Sequence, residues 1–169
     1  MWSSRSILIA ALIASGCGFQ PLYGVGGVAG TGAQAQLETV RIEPIGDRTG
    51  QQLYNFLRDR LNPRGRPARP QYLLSVILHE EEDTLFVRED ETASRTNLTV
   101  RARFALTRVD TGEPVLEGES RSTSSFDILT DSFATIVSEE DARRRSAHEL
   151  SEEIRTRLAI YFSKAAGAS

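Results

Sequence analysis

The sequence predicts an α+β domain in which two helices pack on one face of a small four-stranded sheet, mixed or antiparallel, in the order β-α-β-β-β-α. Three observations predict it. Alternation of apolar and polar residues marks several strands, apolar residues at helical spacing mark two longer stretches, and turn signals separate these elements at short intervals. The composition fits: of 169 residues, 40% are hydrophobic, 25% charged and 7% aromatic, which suits one globular domain and is too polar for a chain with several membrane spans.

Residues 1–16 read as a lipoprotein signal peptide. Arg5 precedes an apolar stretch from Ile7 to Ala14, and small Ser15 and Gly16 follow. That stretch is too short to cross a bilayer core, which needs about 20 helical residues. The only cysteine, Cys17, comes next, so Ile13-Ala14-Ser15-Gly16-Cys17 resembles the lipobox at which bacterial lipoproteins are acylated and cleaved. Ala14 stands where Leu is commonest. With one cysteine, no intramolecular disulfide is possible. Two or three acyl chains on Cys17, at about 0.8 kcal/mol per buried methylene, anchor a protein to a membrane without spanning it. Gly18 in place of the Asp that signals inner-membrane retention makes the outer membrane the expected destination. Residues 17–36 are expected to be the lipidated end and a tether, because five glycines fall between Gly24 and Ala33. The single domain is expected over residues 37–169.

In that domain, Val40 and Ile42 alternate with polar neighbours as in a half-buried strand ending at Pro44. Thr49 and Gln52 have capping-box spacing, and Leu53, Phe56, Leu57 and Leu61 follow at helical intervals up to Pro63. Residues 62–70 hold three prolines, a glycine and the arginines Arg64, Arg66 and Arg69, which reads as a solvated connector; guanidinium groups without pre-organisation bind anions weakly. The apolar run from Tyr72 to Leu78 predicts a central strand, and His79 to Asp83 a solvated acidic turn lacking the spacing of a calcium loop. Over residues 99–109, Val100, Ala102, Phe104 and Leu106 point one way and Thr99, Arg101, Arg103 and Thr107 the other. Asp110-Thr111-Gly112 turns the chain into a returning strand over residues 115–126, so polar that it belongs at an exposed edge or against a polar partner. The last helix is expected to be capped by Ser138, with Ala147, Leu150, Ile154, Leu158 and Tyr161 as its stripe. Four acid-first pairs at four-residue spacing support it: Glu139 with Arg143, Glu140 with Arg144, Asp141 with Arg145, and Glu153 with Arg157.

The formal charge of −3 gives no overall attraction to nucleic acid, so no nucleic-acid partner is expected. Every cationic side chain except Lys164 is Arg, which suits bidentate phosphate recognition and equally follows from a codon bias. No His-Glu-x-x-His, facial-triad or cysteine spacing points to a metal, and neither Gly-x-Ser-x-Gly nor a phosphate-cradling Gly-x-x-x-x-Gly-Lys occurs. The expectation is a non-enzyme without metal or cofactor.

Three segments carry a family resemblance. Residues 17–24 (Cys17-Gly18-Phe19-Gln20-Pro21-Leu22-Tyr23-Gly24), residues 133–142 entering the last helix, and residues 154–162 closing it resemble the alphaproteobacterial branch of the LptE family of lipopolysaccharide-assembly lipoproteins. The resemblance implies a protein that sits in the lumen of the LptD outer-membrane β-barrel, helps the barrel to fold, and plugs the translocon that delivers lipopolysaccharide to the outer leaflet. Lipopolysaccharide and the inner leaflet of the outer membrane are its implied partners besides LptD. The candidate ligand-binding residues are Arg88 and Arg95, in a stretch beginning Leu85-Phe86-Val87 where apolar and basic side chains adjoin, and Arg101 and Arg103. An ordinary inter-strand loop is the favoured description of residues 85–95, and Arg101 and Arg103 face lipid phosphates, the barrel wall or, equally, solvent. A second reading is an auxiliary lipoprotein of an ABC-type lipid-transport system; a third is a lipid-anchored periplasmic hydrolase.

Overall fold

Period-two alternation over long strands, closed by two apolar helical stripes, produces the expected architecture with one added helix. The computed structural model describes residues 28–85, 94–129 and 131–167. In chain order these form helix α1 (Val28–Leu37), strand β1 (Val40–Ile42), helix α2 (Arg48–Leu61), strands β2 (Tyr72–Leu85), β3 (Ser94–Arg108) and β4 (Pro114–Ile128), and helix α3 (Ser132–Gly167). The sheet order is β1-β2-β3-β4, with β1 parallel to β2 and the other pairs antiparallel. The sheet is therefore mixed. The Asp110-Thr111-Gly112 signal makes the β3–β4 turn, where Gly112 takes a φ of 71° that a side chain disfavours.

The core lies between the sheet and the helices. Leu74 and Val76 of β2, and Leu98, Val100, Ala102, Phe104 and Leu106 of β3, are all buried, as the alternation predicts. Against them pack Leu53, Leu57 and Leu61 of α2 and Ala147, Leu150, Ile154, Leu158 and Phe162 of α3. Each fully buried leucine contributes roughly 1.5–3 kcal/mol. In the α3 stripe Phe162 takes the buried end position, and Tyr161 is only partly buried.

Several local expectations are corrected. The stretch expected to be a tether runs into α1, which lies against α3 and buries Leu37; Ala33, a good helix former, packs against the core there and allows close approach. The Thr49–Gln52 capping box does not form. The helix starts two residues earlier, with Asp47 at the cap position making no side-chain cap bond, and Thr49 is buried in the first turn. The acidic stretch 79–83 is not a turn but the continuation of β2, paired with β3 from His79↔Arg101 to Asp83↔Asn97. Its inward carboxylates meet Arg143: Nε donates to Glu80 (3.0 Å), Nη2 to Glu82 (3.0 Å), and Nη1 to Glu139. Partial burial works against the Arg143 charge, but the hydrogen bonds to Glu139 and Glu80 outweigh it and hold the pKa above the ordinary arginine value. Helix α3 starts at Ser132 and not after Ser138, because Asp131 Oδ1 accepts from the Phe133 amide (2.9 Å). Glu140 pairs with Arg48 (2.6 Å) instead of Arg144; the other three expected helical pairs are present.

Where α3 crosses β4 the contact is made by small polar residues. Ser122 Oγ donates to Glu149 (2.7 Å) and Ser146 Oγ to Ser124 Oγ (3.0 Å). Gly118 is required for a different reason: a Cβ there would stand 2.7 Å from the Phe104 ring and 3.3 Å from the Arg157 guanidinium. Gly118→Val is expected to displace Phe104 and cost about 1–3 kcal/mol, measured as a lowered urea midpoint. An unchanged midpoint would show that the ring has room to move.

Candidate functional site: the open face of the sheet

Both long helices lie on the same side of the sheet, so the odd-numbered residues of β2, β3 and β4 form a face that no described element covers. The strand register arranges this face in rows: Ile77, Arg103 and Glu119; His79, Arg101 and Arg121; Glu81, Thr99 and Thr123; Asp83, Asn97 and Ser125; then Arg95 beside Asp127. Of the candidate binding residues, the structure brings Arg95, Arg101 and Arg103 onto this one surface. Arg88 and Cys17 lie outside the described residues.

The charges are largely paired across strands. Arg103 Nε donates to Glu119 Oε2 (2.9 Å), Arg101 Nη1 to Glu81 Oε2 (2.9 Å), and Arg95 stands 3.5 Å from Asp127. Ser125 donates to Asn97 (2.8 Å), and the Thr99 and Thr123 hydroxyls lie 3.3 Å apart. Arg101 and Arg121 face each other in the register, an unfavourable like-charge pair that Arg101 relieves by turning to Glu81. Arg121 makes no ion pair among the described residues. Sequence reasoning missed it because β4 is polar on both faces; the hairpin register set by the Asp110-Thr111-Gly112 turn is the signal that places it. Ile77, 74% exposed, is a large apolar side chain in the middle of this polar surface.

The hydrogen bond from Arg103 holds the Glu119 carboxyl below the usual carboxylate range; slight desolvation opposes this, and the charges of Arg103 and Arg101 add to it. Among the described residues, no group of three or more His, Cys, Asp or Glu side chains is placed to hold a metal ion. The face offers a dense array of donors and acceptors, suited to binding a polar surface edge to edge.

The profile of the LptE family, described as lipopolysaccharide-assembly, matches residues 37–158. The chain belongs to the LptE family. Its matched span takes in β1 to β4, α2 and most of α3, so the open face is part of the family domain. Membership gives the chain a role in lipopolysaccharide assembly. A protein of Rickettsia prowazekii strain Madrid E is 24% identical over 156 residues, covering 92% of this chain and 95% of that one. A candidate lipoprotein from Caulobacter crescentus CB15 has the same fold, with a TM-score of 0.65 at 20% identity over 79% of this chain and 97% of that one. Lipoprotein B from Nitrosomonas europaea gives a TM-score of 0.56 at 15% identity, over 73% of this chain and 83% of that one.

Because the folded-state pKa of Glu119 is depressed, its contribution to stability is present above the unfolded carboxylate pKa and is lost as pH falls through the lowered folded value. In a carboxyl NMR titration Glu119 is expected to protonate below an ordinary glutamate, and Arg103→Gln is expected to raise its midpoint toward the ordinary value. A midpoint that does not move in Arg103→Gln would assign the depression to another group.

Proposed function

We propose that this LptE-family domain plugs the lumen of the LptD outer-membrane β-barrel, supports the folding of that barrel, and assists the passage of lipopolysaccharide to the outer leaflet, anchored through acyl chains on Cys17. The role is mechanical and uses no catalytic step. The observation that carries the reading is the open sheet face: three long strands present a polar, charge-paired surface with Ile77 exposed at its centre. At about 3.4 Å per residue, strands of 14 or 15 residues make this surface roughly 50 Å long. Large outer-membrane barrels have polar interiors, and those of about 22 strands enclose a folded plug. A polar lumen wall supplies partners for the row of guanidinium and carboxylate groups, and filling the lumen limits leakage while lipopolysaccharide passes. The anchor at Cys17 raises the local concentration of the domain at the periplasmic mouth of the barrel.

Detergent extraction followed by affinity purification of the chain is expected to recover LptD as a stable complex. The double substitution Arg101→Glu with Arg103→Glu is expected to lower recovery of the barrel at least about tenfold, as when a close charge pair in an interface is reversed, with the circular dichroism of the chain unchanged. Recovery of an inner-membrane transporter in place of the barrel would overturn the assignment.

Cys17→Ser is expected to remove the mass of the acyl chains and to shift the protein from the membrane to the soluble fraction. A wild-type chain whose mass shows no acyl groups would overturn the anchor.

A further inference from the structure

The arginine-bearing connector 62–70 is not loose once folded. Asn62 Nδ2 donates to the Val40 carbonyl (3.1 Å) and the Glu38 carbonyl (3.3 Å), and the Gln71 amide donates to the Thr39 carbonyl (3.1 Å), so both ends of the connector are tied to the start of β1. Within it, the Gly65 amide closes a turn on the Asn62 carbonyl (2.9 Å), and Arg66 Nη2 donates to the Tyr54 hydroxyl (2.8 Å). These bonds place Arg66 at a cavity of about 280 Å³ on the β1 edge of the sheet, which Arg41 of β1 and Arg58 of α2 also line. The pre-organisation that the isolated loop lacks is supplied by β1 and α2.

The charge balance of the cavity is positive. Three guanidinium groups line it against one carboxylate, Glu43. Arg41 makes no ion pair among the described residues, and the only ion pair Arg58 makes among them is with its neighbour Asp59 (3.0 Å). Arg64 is already taken by Glu38 (2.5 Å) and does not line the cavity. Guanidinium groups from three elements line one small concavity, Arg58 with Nε and Nη2 also donating to Asp59, and guanidinium donors match the oxygens of a tetrahedral oxyanion.

We propose that this cavity binds a phosphate-type anion, the phosphate of a phospholipid headgroup or free phosphate, through Arg41, Arg58 and Arg66. The site lies at the end of the sheet where β2 begins and does not depend on the reading of the open face. Glu43 weakens binding by repelling the anion, and Tyr54 acts as a positioning residue for Arg66.

Calorimetric titration of the full chain with inorganic phosphate, at constant ionic strength set by chloride, tests the site directly. Arg41→Gln and Arg66→Gln are each expected to weaken binding about tenfold, in line with loss of one charge-assisted hydrogen bond. Tyr54→Phe is expected to weaken it less, and Glu43→Gln to tighten it. Arg69→Gln, outside the cavity, is the control. Flotation of the unacylated Cys17→Ser chain with vesicles of phosphatidylglycerol, beside vesicles of phosphatidylcholine, separates the two sources. Flotation that falls in the same variants identifies a headgroup as the ligand, whereas phosphate binding with variant-insensitive flotation identifies free phosphate. The proposal is overturned if phosphate gives no heat and flotation ignores Arg41→Gln and Arg66→Gln, or if Arg69→Gln weakens binding as much as Arg66→Gln.

Discussion

Helix α3, 36 residues long, has to lie along β4, a strand with few large apolar side chains on its inward face, and the rest of the fold depends on how this is done. The apolar stripe of the helix reaches past β4 to the β3 residues beneath it. Phe104 fills the space over Gly118, with its ring 6.0 Å from the Arg157 guanidinium, and the serines of β4 let the helix come close while bonding to it. Apolar burial supplies the bulk of the energy and the serine bonds supply direction. With α2 and α3 both engaged on one side, the chain has no further described element for the other. The uncovered face is thus a consequence of the helical docking.

Electrostatics divides along the same plane. On the inner side, Arg143 gathers Glu80, Glu82 and Glu139 at the end of the sheet nearest the start of α3, so a partly buried cation binds strand to helix. On the outer side the ion pairs run between neighbouring strands and remain largely exposed, where each contributes little to stability. The inner set shapes the domain; the outer set shapes what the domain can touch.

The fold class, the inward residues of β3 and the α3 stripe were legible in the sequence because each is a local periodic pattern. The length of β2 was not. Four consecutive carboxylates look like a solvated turn until Arg143, 63 residues from Glu80, is brought alongside. The start of α3 was misread for a related reason: Ser138 has the right chemistry for a cap, but Asp131 reaches the helix first. Arg101 and Arg103 were legible as outward residues, whereas Arg121 required the hairpin register, and the anchoring of Arg66 required Tyr54 from another element. Contacts between distant segments leave no trace in a local pattern, and these are the points at which the reading failed.

Strand β4 is the far edge of the sheet, fifteen residues long. Arg145 shields one of its carbonyls, that of Ser125, by donating to it at 3.2 Å. Serines, paired acids and arginines occupy much of the remainder, a composition that discourages a stray chain from stacking alongside. An edge kept soluble in this way gives a second copy of the chain no template on which to extend the sheet, so the protein can accumulate without polymerising.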